Sequence, residues 1–457
     1  MINAKDNFDG PIKGNLAQRE THISISMADI QNNPGVAFFS FYSDENKREY
    51  KNSPEDLVIK TSRVISDDGF IDHIKTGNYI GSLKWGGVDI NITSRFGEQF
   101  LKRMLNFSNG IYISDLDSYS EKNDKANSSK FILHYLFLQS LEKAFLLGLP
   151  KAYKNINHNE AVLKGRLDLN KYIKHSIPYL GKLPSISREQ RDVQEFVDIF
   201  YKAYSIVESE SQSNAAKKMK DIKSYLRVNR SPLLVTAGTI SKAKSSKAFF
   251  NPIYSSYRGV LNLAEMIIKL DSLKKSDSSG SHNYSGFLIN VAELFEIYIT
   301  EILRNNFNNW EIDSPKILLY DGRFYRRYII PDIVMRQKDR VIVLDTKYKR
   351  MVYRGRSRAG AGDLDRDDFF QINTYMAYFK QSGEELLGGG LLYPLSKYIE
   401  VRESHSPNWF GGKSTFFVVD GILAEGDIVA NEQDFIGRIG NLIQQSQVTN
   451  PQADTVI

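Results

Sequence analysis

The stretch Arg327–Lys349, RYIIPDIVMRQKDRVIVLDTKYK, decides how the rest of the chain is read. It spells two adjacent β-strands, Tyr328 to Met335 and Arg340 to Tyr348, joined by the tight polar connection Gln337-Lys338-Asp339. Val341-Ile342-Val343-Leu344 is a β-branched and leucine run that suits a strand buried on both faces. The run ends on Asp345-Thr346-Lys347, an acid and a lysine emerging from a core strand, where each costs desolvation energy unless paired. Two residues apart, Asp345 and Lys347 project from the same strand face. If the strands pair, Asp332 lies near Asp345, and two carboxylates and one ammonium meet at one point. Acids that close repel unless a cation sits between them, and Mg²⁺ (or Mn²⁺), held by carboxylates while keeping several waters, suits the place. An ordinary hairpin with solvated ends is the other reading of so short a string.

Composition narrows the alternatives. A chain of 457 residues is long enough for two or three domains with proper cores. With 41% hydrophobic and 25% charged residues it reads as globular and not as disordered. A net charge of +6 is compatible with a polyanionic partner without demanding one. The absence of cysteine excludes disulfides and thiolate metal sites and fits a reducing cytoplasm. The polar start MINAKDNFDGPIKGN is not a signal peptide. Phe131 to Leu149, the most apolar stretch, is interrupted by Gln139, Glu142 and Lys143, so a buried helix is expected and no membrane association.

The expected organisation is α+β and multidomain. Residues 1–18 read as a flexible arm. Residues 19–125 carry recurring short strand patterns (HISISM, VAFFSFYS, LVIKTSRVIS, GIYISDL) and read as a β-rich domain. Gly86-Gly87 between Trp85 and Val88 reads as a hairpin turn, and Glu98 to Phe107 as a helix. Residues 126–275 read as a helical middle region. A helix there is capped by Ser129, runs to about Leu147 and is stopped by Gly148 and Pro150; Arg188 to Ser209 and Tyr257 to Lys275 supply others. Within it, Ala161 to Asp168 is a short extended piece, and Lys217–Lys223 and Ser241–Lys247 are lysine-rich, either solvated faces or a polyanion contact. Residues 276–286 have linker composition, and 287–457 form an α/β domain around the opening hairpin.

Three further features of that last domain bear on chemistry. The helix Leu288 to Phe307 has an apolar stripe through Val291, Leu294, Phe295, Tyr298, Ile299 and Leu303. Glu296, beside the stripe, either reaches the metal or its waters or is a helix-edge surface acid; Glu293 reads as surface. Lys349, Arg350, Arg354, Arg356 and Arg358, interleaved with Tyr348 and Tyr353, make the most concentrated basic segment, either a phosphate-backbone contact or a solvated loop. In the helix Asp367 to Lys380, Gln371 and Tyr375 share a face at i and i+4. Gly411-Gly412-Lys413-Ser414-Thr415 looks like the end of a phosphate-binding loop, but Pro407 stands where that loop needs glycine and a strand follows it. No nucleotide site is expected, so nucleotide energy would come from another chain.

The hairpin resembles the PD-(D/E)xK nuclease signature. The order LFE helix, PDIV, VLDTKYK, Q-xxx-Y resembles the RecB-like branch and, more narrowly, the McrC family, the nuclease subunits of McrBC-type and LlaJI-type restriction systems. Tyr79-Ile80-Gly81, Ile90-Asn91-Ile92, FLKRML, Gly148-Leu149-Pro150 with Tyr153, and Leu163-Lys164-Gly165-Arg166-Leu167-Asp168 are similar to the same pattern, so the likeness runs from about Gly77 onward. Thr93-Ser94-Arg95 departs from it, many members having a proline-lysine pair there. The resemblance implies a restriction-endonuclease-like C-terminal domain with a central mixed sheet. Asp332 and Asp345 would be metal ligands, Lys347 the catalytic lysine, Glu296 an accessory acid, and Gln371 and Tyr375 supports of the site or of the DNA backbone. It further implies docking of the N-terminal and middle regions on an McrB-like AAA+ GTPase ring that recognises and translocates DNA. A free-standing RecB-like repair nuclease and a non-catalytic adaptor of a ring NTPase are the alternative expectations.

Overall fold

A computed structural model describes residues 2–12, 16–17, 20–33, 36–39, 41, 53–66, 69–108, 128–210, 219–276, 284–349, 366–396, 404–405 and 415–448. The chain divides into two units, Met1–Ile113 with Asn283–Ile457, and Ser114–His282. The first unit begins in a strand. β1 (Ile2–Lys5) pairs in parallel with β8 (Val88–Thr93) and buries Ile2. These residues are a sheet edge and not the expected flexible arm; four residues are too few for a strand pattern to show in the sequence.

β7 (Tyr79–Trp85) and β8 form the hairpin expected at Gly86-Gly87. Trp85 pairs with Val88 and both glycines have positive φ, 56° and 80°, the conformation a two-residue turn requires. β12 (Tyr284–Asn290), antiparallel to β7, and β4 (Val36–Phe39) complete a sheet of order β1-β8-β7-β12-β4. The strand that follows the expected linker thus hydrogen-bonds to Tyr79–Trp85, and the boundary expected at 287 falls inside it. β2 (Asp9–Pro11), β3 (Ser24–Ser26), β5 (Leu57–Ser66) and β6 (Gly69–Thr76) form a second sheet. Its Ile25, Val58, Ile59 and Ile74 share one core with Ile2, Tyr79, Ile90 and Ile92.

The same unit also holds a six-stranded sheet of order β13-β16-β17-β18-β20-β19. Its strands are β13 (Glu311–Asp313), β16 (Ile333–Gln337), β17 (Arg340–Thr346), β18 (Glu385–Leu395), β19 (Ser404–His405) and β20 (Phe416–Leu423). β16 and β17 are antiparallel, whereas β17, β18 and β20 run parallel. The single strand expected from Tyr328 to Met335 is two. β15 (Arg326–Ile329) pairs with β14 (Ile317–Asp321) in a separate ribbon, and β16 starts only after Pro331, which has no N–H to give a ladder.

Helices α1 (Glu98–Ser108), α2 (Val291–Asn306), α3 (Arg366–Gln381) and α4 (Ile428–Val448) belong to the same unit. Arg103 of α1 forms a bidentate pair with Glu432 of α4 at 2.7 and 2.6 Å, and Tyr298 of α2 donates to the same carboxylate at 2.7 Å. Glu293, read as surface, is buried, and its Oε2 accepts from the Phe41 N–H at 2.8 Å. α3 lies close on the sheet because β18 carries Gly389 beneath it. A Cβ there would stand 2.5 Å from the Met376 sulfur.

The second unit packs the helices Ser128–Phe145, Gln194–Glu210 and Ser256–Ser276, with Phe200 stacked on Tyr257 at 5.7 Å. Among the described residues no helix is long and apolar enough to cross a membrane. The expected helical middle region also contains an antiparallel sheet, β9 (Lys151–Glu160), β10 (Arg166–Leu167) and β11 (Leu183–Asp192). Arg188 to Asp192, expected in a helix, belong to β11, and the helix starts at Gln194. β9 (KAYKNINHNE) is mostly exposed and so carries no apolar alternation to betray it. Asp168, at the end of the Leu163–Asp168 motif, accepts from the Lys171 N–H at 3.2 Å and caps a short helix.

Candidate active site

Two residues of turn set the geometry. Gln337 pairs with Arg340 and Ile333 with Leu344, so the same register carried one step further puts Asp332 opposite Asp345. Asp332 has left the ladder, and its Oδ2 accepts from the Thr346 N–H at 2.8 Å and the Thr346 hydroxyl at 2.7 Å. Asp332 is 3% exposed and Asp345 0%. Asp345 closes β17 on the face of Val341 and Val343, which packs against Ile372, Tyr375 and Met376 of α3. It therefore lies at the carboxyl end of a parallel strand, where ligands of open α/β sheets generally sit.

Lys347 follows, its N–H donating to Leu392 O at 2.8 Å and keeping it aligned with β18 beyond the end of β17. Its Nζ is 2.7 Å from Asp345 Oδ2 and donates to Gln371 Oε1 at 2.7 Å. Gln371 Nε2 in turn donates to the Tyr375 hydroxyl at 2.7 Å. The i, i+4 pair read from the sequence is thus one relay ending on the lysine. Burial pushes the Lys347 ammonium toward neutrality, but Asp345, Asp332 and Asp368 outweigh it and hold its pKa above the usual lysine value.

Asp368, in the first turn of α3, was not singled out by sequence. Its carboxylate lies 3.7 Å from Lys347 Nζ and 2.5 Å from Lys349 Nζ. The acidic first turn Asp367-Asp368 was the only local signal for it. Arg95 was also missed, although Thr93-Ser94-Arg95 stood out as a departure. Its guanidinium stacks on Phe96 at 4.7 Å and on Tyr348, next to Lys347, at 4.9 Å. Asp6 accepts from the Arg95 N–H at 2.5 Å, and Asn7 donates to the Tyr348 carbonyl at 3.0 Å. The first residues of the chain therefore underpin the lysine segment.

Glu296 lies on α2, one residue from Phe295, whose ring is 5.8 Å from Tyr348. At 4% exposure it is not a helix-edge surface acid. Lys349 is placed by its pair with Asp368, whereas Arg350, Arg354, Arg356 and Arg358 lie outside the described residues. Most of the Gly411–Thr415 decoy does too; Thr415 and the expected strand after it are described.

Among the described residues no group of three or more His, Asp and Glu side chains is arranged to hold a metal ion. The donor chemistry of Asp332 and Asp345 nevertheless fits a hard divalent cation, since Mg²⁺ commonly takes one or two carboxylates and fills its shell with waters and phosphate. In the set Asp332, Asp345, Asp368, Lys347 and Lys349, three carboxylates face two ammonium groups, so the set is formally negative.

The family model of the McrBC 5-methylcytosine restriction system component matches residues 74–394, well over half of the chain. The chain belongs to this family. The match spans β7 through most of β18 and so includes Asp332, Asp345, Lys347, Gln371 and Asp368 of the McrBC-family chain. Its fold is similar to that of a chain in the refined half-complex from a tetradecameric assembly of Thermococcus gammatolerans McrB AAA+ hexamers with bound McrC. The TM-score is 0.54 at 16% identity, over 96% of this chain and 99% of that one. A chain of the cryo-EM structure of the Thermococcus gammatolerans McrBC complex is matched at a TM-score of 0.35 and 17% identity, over 67% and 88%. No curated protein matches.

Proposed function

We propose that this McrBC-family chain is the divalent-metal-dependent DNA endonuclease subunit of a restriction complex, with a PD-(D/E)xK centre at the end of β17. The observation that carries the reading is the convergence of Asp332, Asp345 and Lys347 on one corner, with Gln371 aiming the lysine. Asp332 and Asp345 would hold Mg²⁺ or Mn²⁺, with Glu296 as accessory acid. When bound, the metal supplies an activated water and neutralises charge on the phosphate. Without a metal, Asp345, Asp332 and Asp368 hold the Lys347 pKa above the usual lysine value, and in that form the ammonium is a charged hydrogen-bond donor toward the attacked phosphate or the attacking water. Thr346 fixes Asp332 through two hydrogen bonds, and Gln371 with Tyr375 keeps the ammonium from swinging out to solvent.

The partner in this reading is an McrB-like AAA+ GTPase ring that recognises and translocates DNA, with the N-terminal and middle regions of this chain docking on it and stimulating hydrolysis. The fold shared with a chain of the McrB–McrC half-complex supports it. The test is a plasmid cleavage assay with the chain co-purified with its AAA+ partner, on methylated and unmethylated DNA, with GTP or ATP. Double-strand cutting that needs both nucleotide and Mg²⁺ is expected. Full nucleotide hydrolysis with no cutting of any substrate would leave the adaptor role instead.

A further inference from the structure

The ribbon β14–β15 stands apart from the six-stranded sheet. It turns at Arg323-Phe324, with the Gly322 N–H donating to Tyr325 O at 3.1 Å. Its base is anchored, since Ile317 and Leu319 pack on the domain core and Ile329 is part of it. Beyond the base its aromatic side chains face water: Tyr320 is 61% exposed, Tyr325 63% and Phe324 90%. A ring held in solvent contributes almost no burial energy, so fold stability does not account for Phe324.

Charge points the same way. Lys316, Arg323, Arg326 and Arg327 alternate with these rings, against the single acid Asp321, which pairs with Arg326 at 2.6 Å. Cations that take phosphates, interleaved with rings that stack on bases, are what a nucleic-acid surface consists of. The placement adds a second argument. β15 runs through Ile330 and Pro331 straight into Asp332, and the Ser314 hydroxyl donates to the Pro331 carbonyl at 2.8 Å, clamping the base of the ribbon beside that acid. From Asp332 back to Phe324 an extended chain spans at most about 26 Å. That is less than one turn of duplex DNA, about 34 Å.

We propose that the β14–β15 hairpin is a DNA-contacting arm that holds the duplex beside Asp332 and Asp345. Lys316, Arg323 and Arg327 bind phosphates, and Tyr320, Phe324 and Tyr325 lie against sugar and base faces. A two-stranded ribbon is narrow enough to enter a major groove about 12 Å wide. The assignment rests on the nuclease reading above, and its test is built so that the two can fail separately.

Binding of the full-length chain to a fluorescent duplex is measured by anisotropy in Ca²⁺ without Mg²⁺, over a salt series, beside Mg²⁺-dependent cleavage by the complex with the AAA+ partner. For Arg323→Gln with Arg327→Gln, the slope of log affinity against log salt falls by about 1.8, two phosphate contacts' worth. For Phe324→Ala, affinity drops roughly tenfold with the slope unchanged, and Phe324→Trp restores it. All three positions are exposed, so the melting temperatures stay at wild-type values. Wild-type affinity and slope in all the hairpin variants overturn the arm, and they leave the nuclease standing if the wild type still cuts. A wild-type chain that does not hold the duplex also overturns it. Variants that bind DNA normally but no longer co-purify with the AAA+ partner assign the surface to protein, which overturns it as well. A complex that never cuts, with hairpin variants that still lose DNA, fails the nuclease and keeps the arm.

Discussion

Burial favours the neutral amine of Lys347, while the carboxylates of Asp345, Asp332 and Asp368 keep the proton on it. Because its folded pKa lies above the usual 10.5, the stabilisation of this pairing is complete below that value and is lost only as pH rises through the folded pKa. Carbon-13 NMR of the Lys347 side chain in the metal-free protein, assigned with Lys347→Arg, should show no titration around neutrality; a titration near neutrality would contradict the pairing. At the far end of the relay, Tyr375→Phe removes only the hydroxyl that accepts from Gln371. The expected cost is about 1 kcal/mol, or roughly a fivefold slower cut with the melting temperature barely moved. A loss of several hundredfold would mean that the hydroxyl touches the reacting atoms. At this scale the site was legible where the rule is local. A two-residue turn fixes the strand register, and i, i+4 fixes Gln371 against Tyr375. Asp368 and Arg95 were not legible, because what they meet is decided by how α3 and the chain's first residues dock, and no spacing encodes that.

Helix α3 brings the relay to the strand end only because the strand beneath it is bare. The Cβ of Gly389→Ala would stand 2.5 Å from the Met376 sulfur and 3.0 Å from the Val343 carbonyl. The helix or the methionine must give way, at a cost of about 1–3 kcal/mol. Cleavage should fall further than stability does, since any shift of α3 carries Gln371 off Lys347. Adding Met376→Ala should recover part of both, as a chemical-denaturation and cleavage cycle would show. If the single variant cuts at the wild-type rate, the close approach does not position the site. Other elements were opaque for physical reasons. Pro331 divides what hydropathy reads as one strand, and β9 is solvated along most of its length, so it shows neither alternation nor an apolar run.

Across the whole chain, composition marked a linker at 276–286 but not where the chain goes next. β12 returns to Tyr79–Trp85, so Met1–Ile113 and Asn283–Ile457 form one unit. Strand partners distant in sequence leave no local trace, which is why the sheet was missed although β4, β7 and β8 were each legible as strands. β1 reads as an arm, and β12 as linker and the start of the Leu288–Phe307 helix, which begins only at Val291. That arrangement reaches the proposed site, because Asp6, Asn7 and Arg95 come from the N-terminal segment and pack under Tyr348, beside the candidate lysine. The proposed chemistry and the proposed coupling to a ring NTPase can still be pulled apart by one substitution at the buried acid. The measurement is plasmid cleavage and nucleotide hydrolysis by the complex with the AAA+ partner in Mg²⁺, for the wild type and for Asp345→Ala. Cutting should vanish in the variant while stimulated hydrolysis persists; an Asp345→Ala complex that cuts at the wild-type rate would contradict the account.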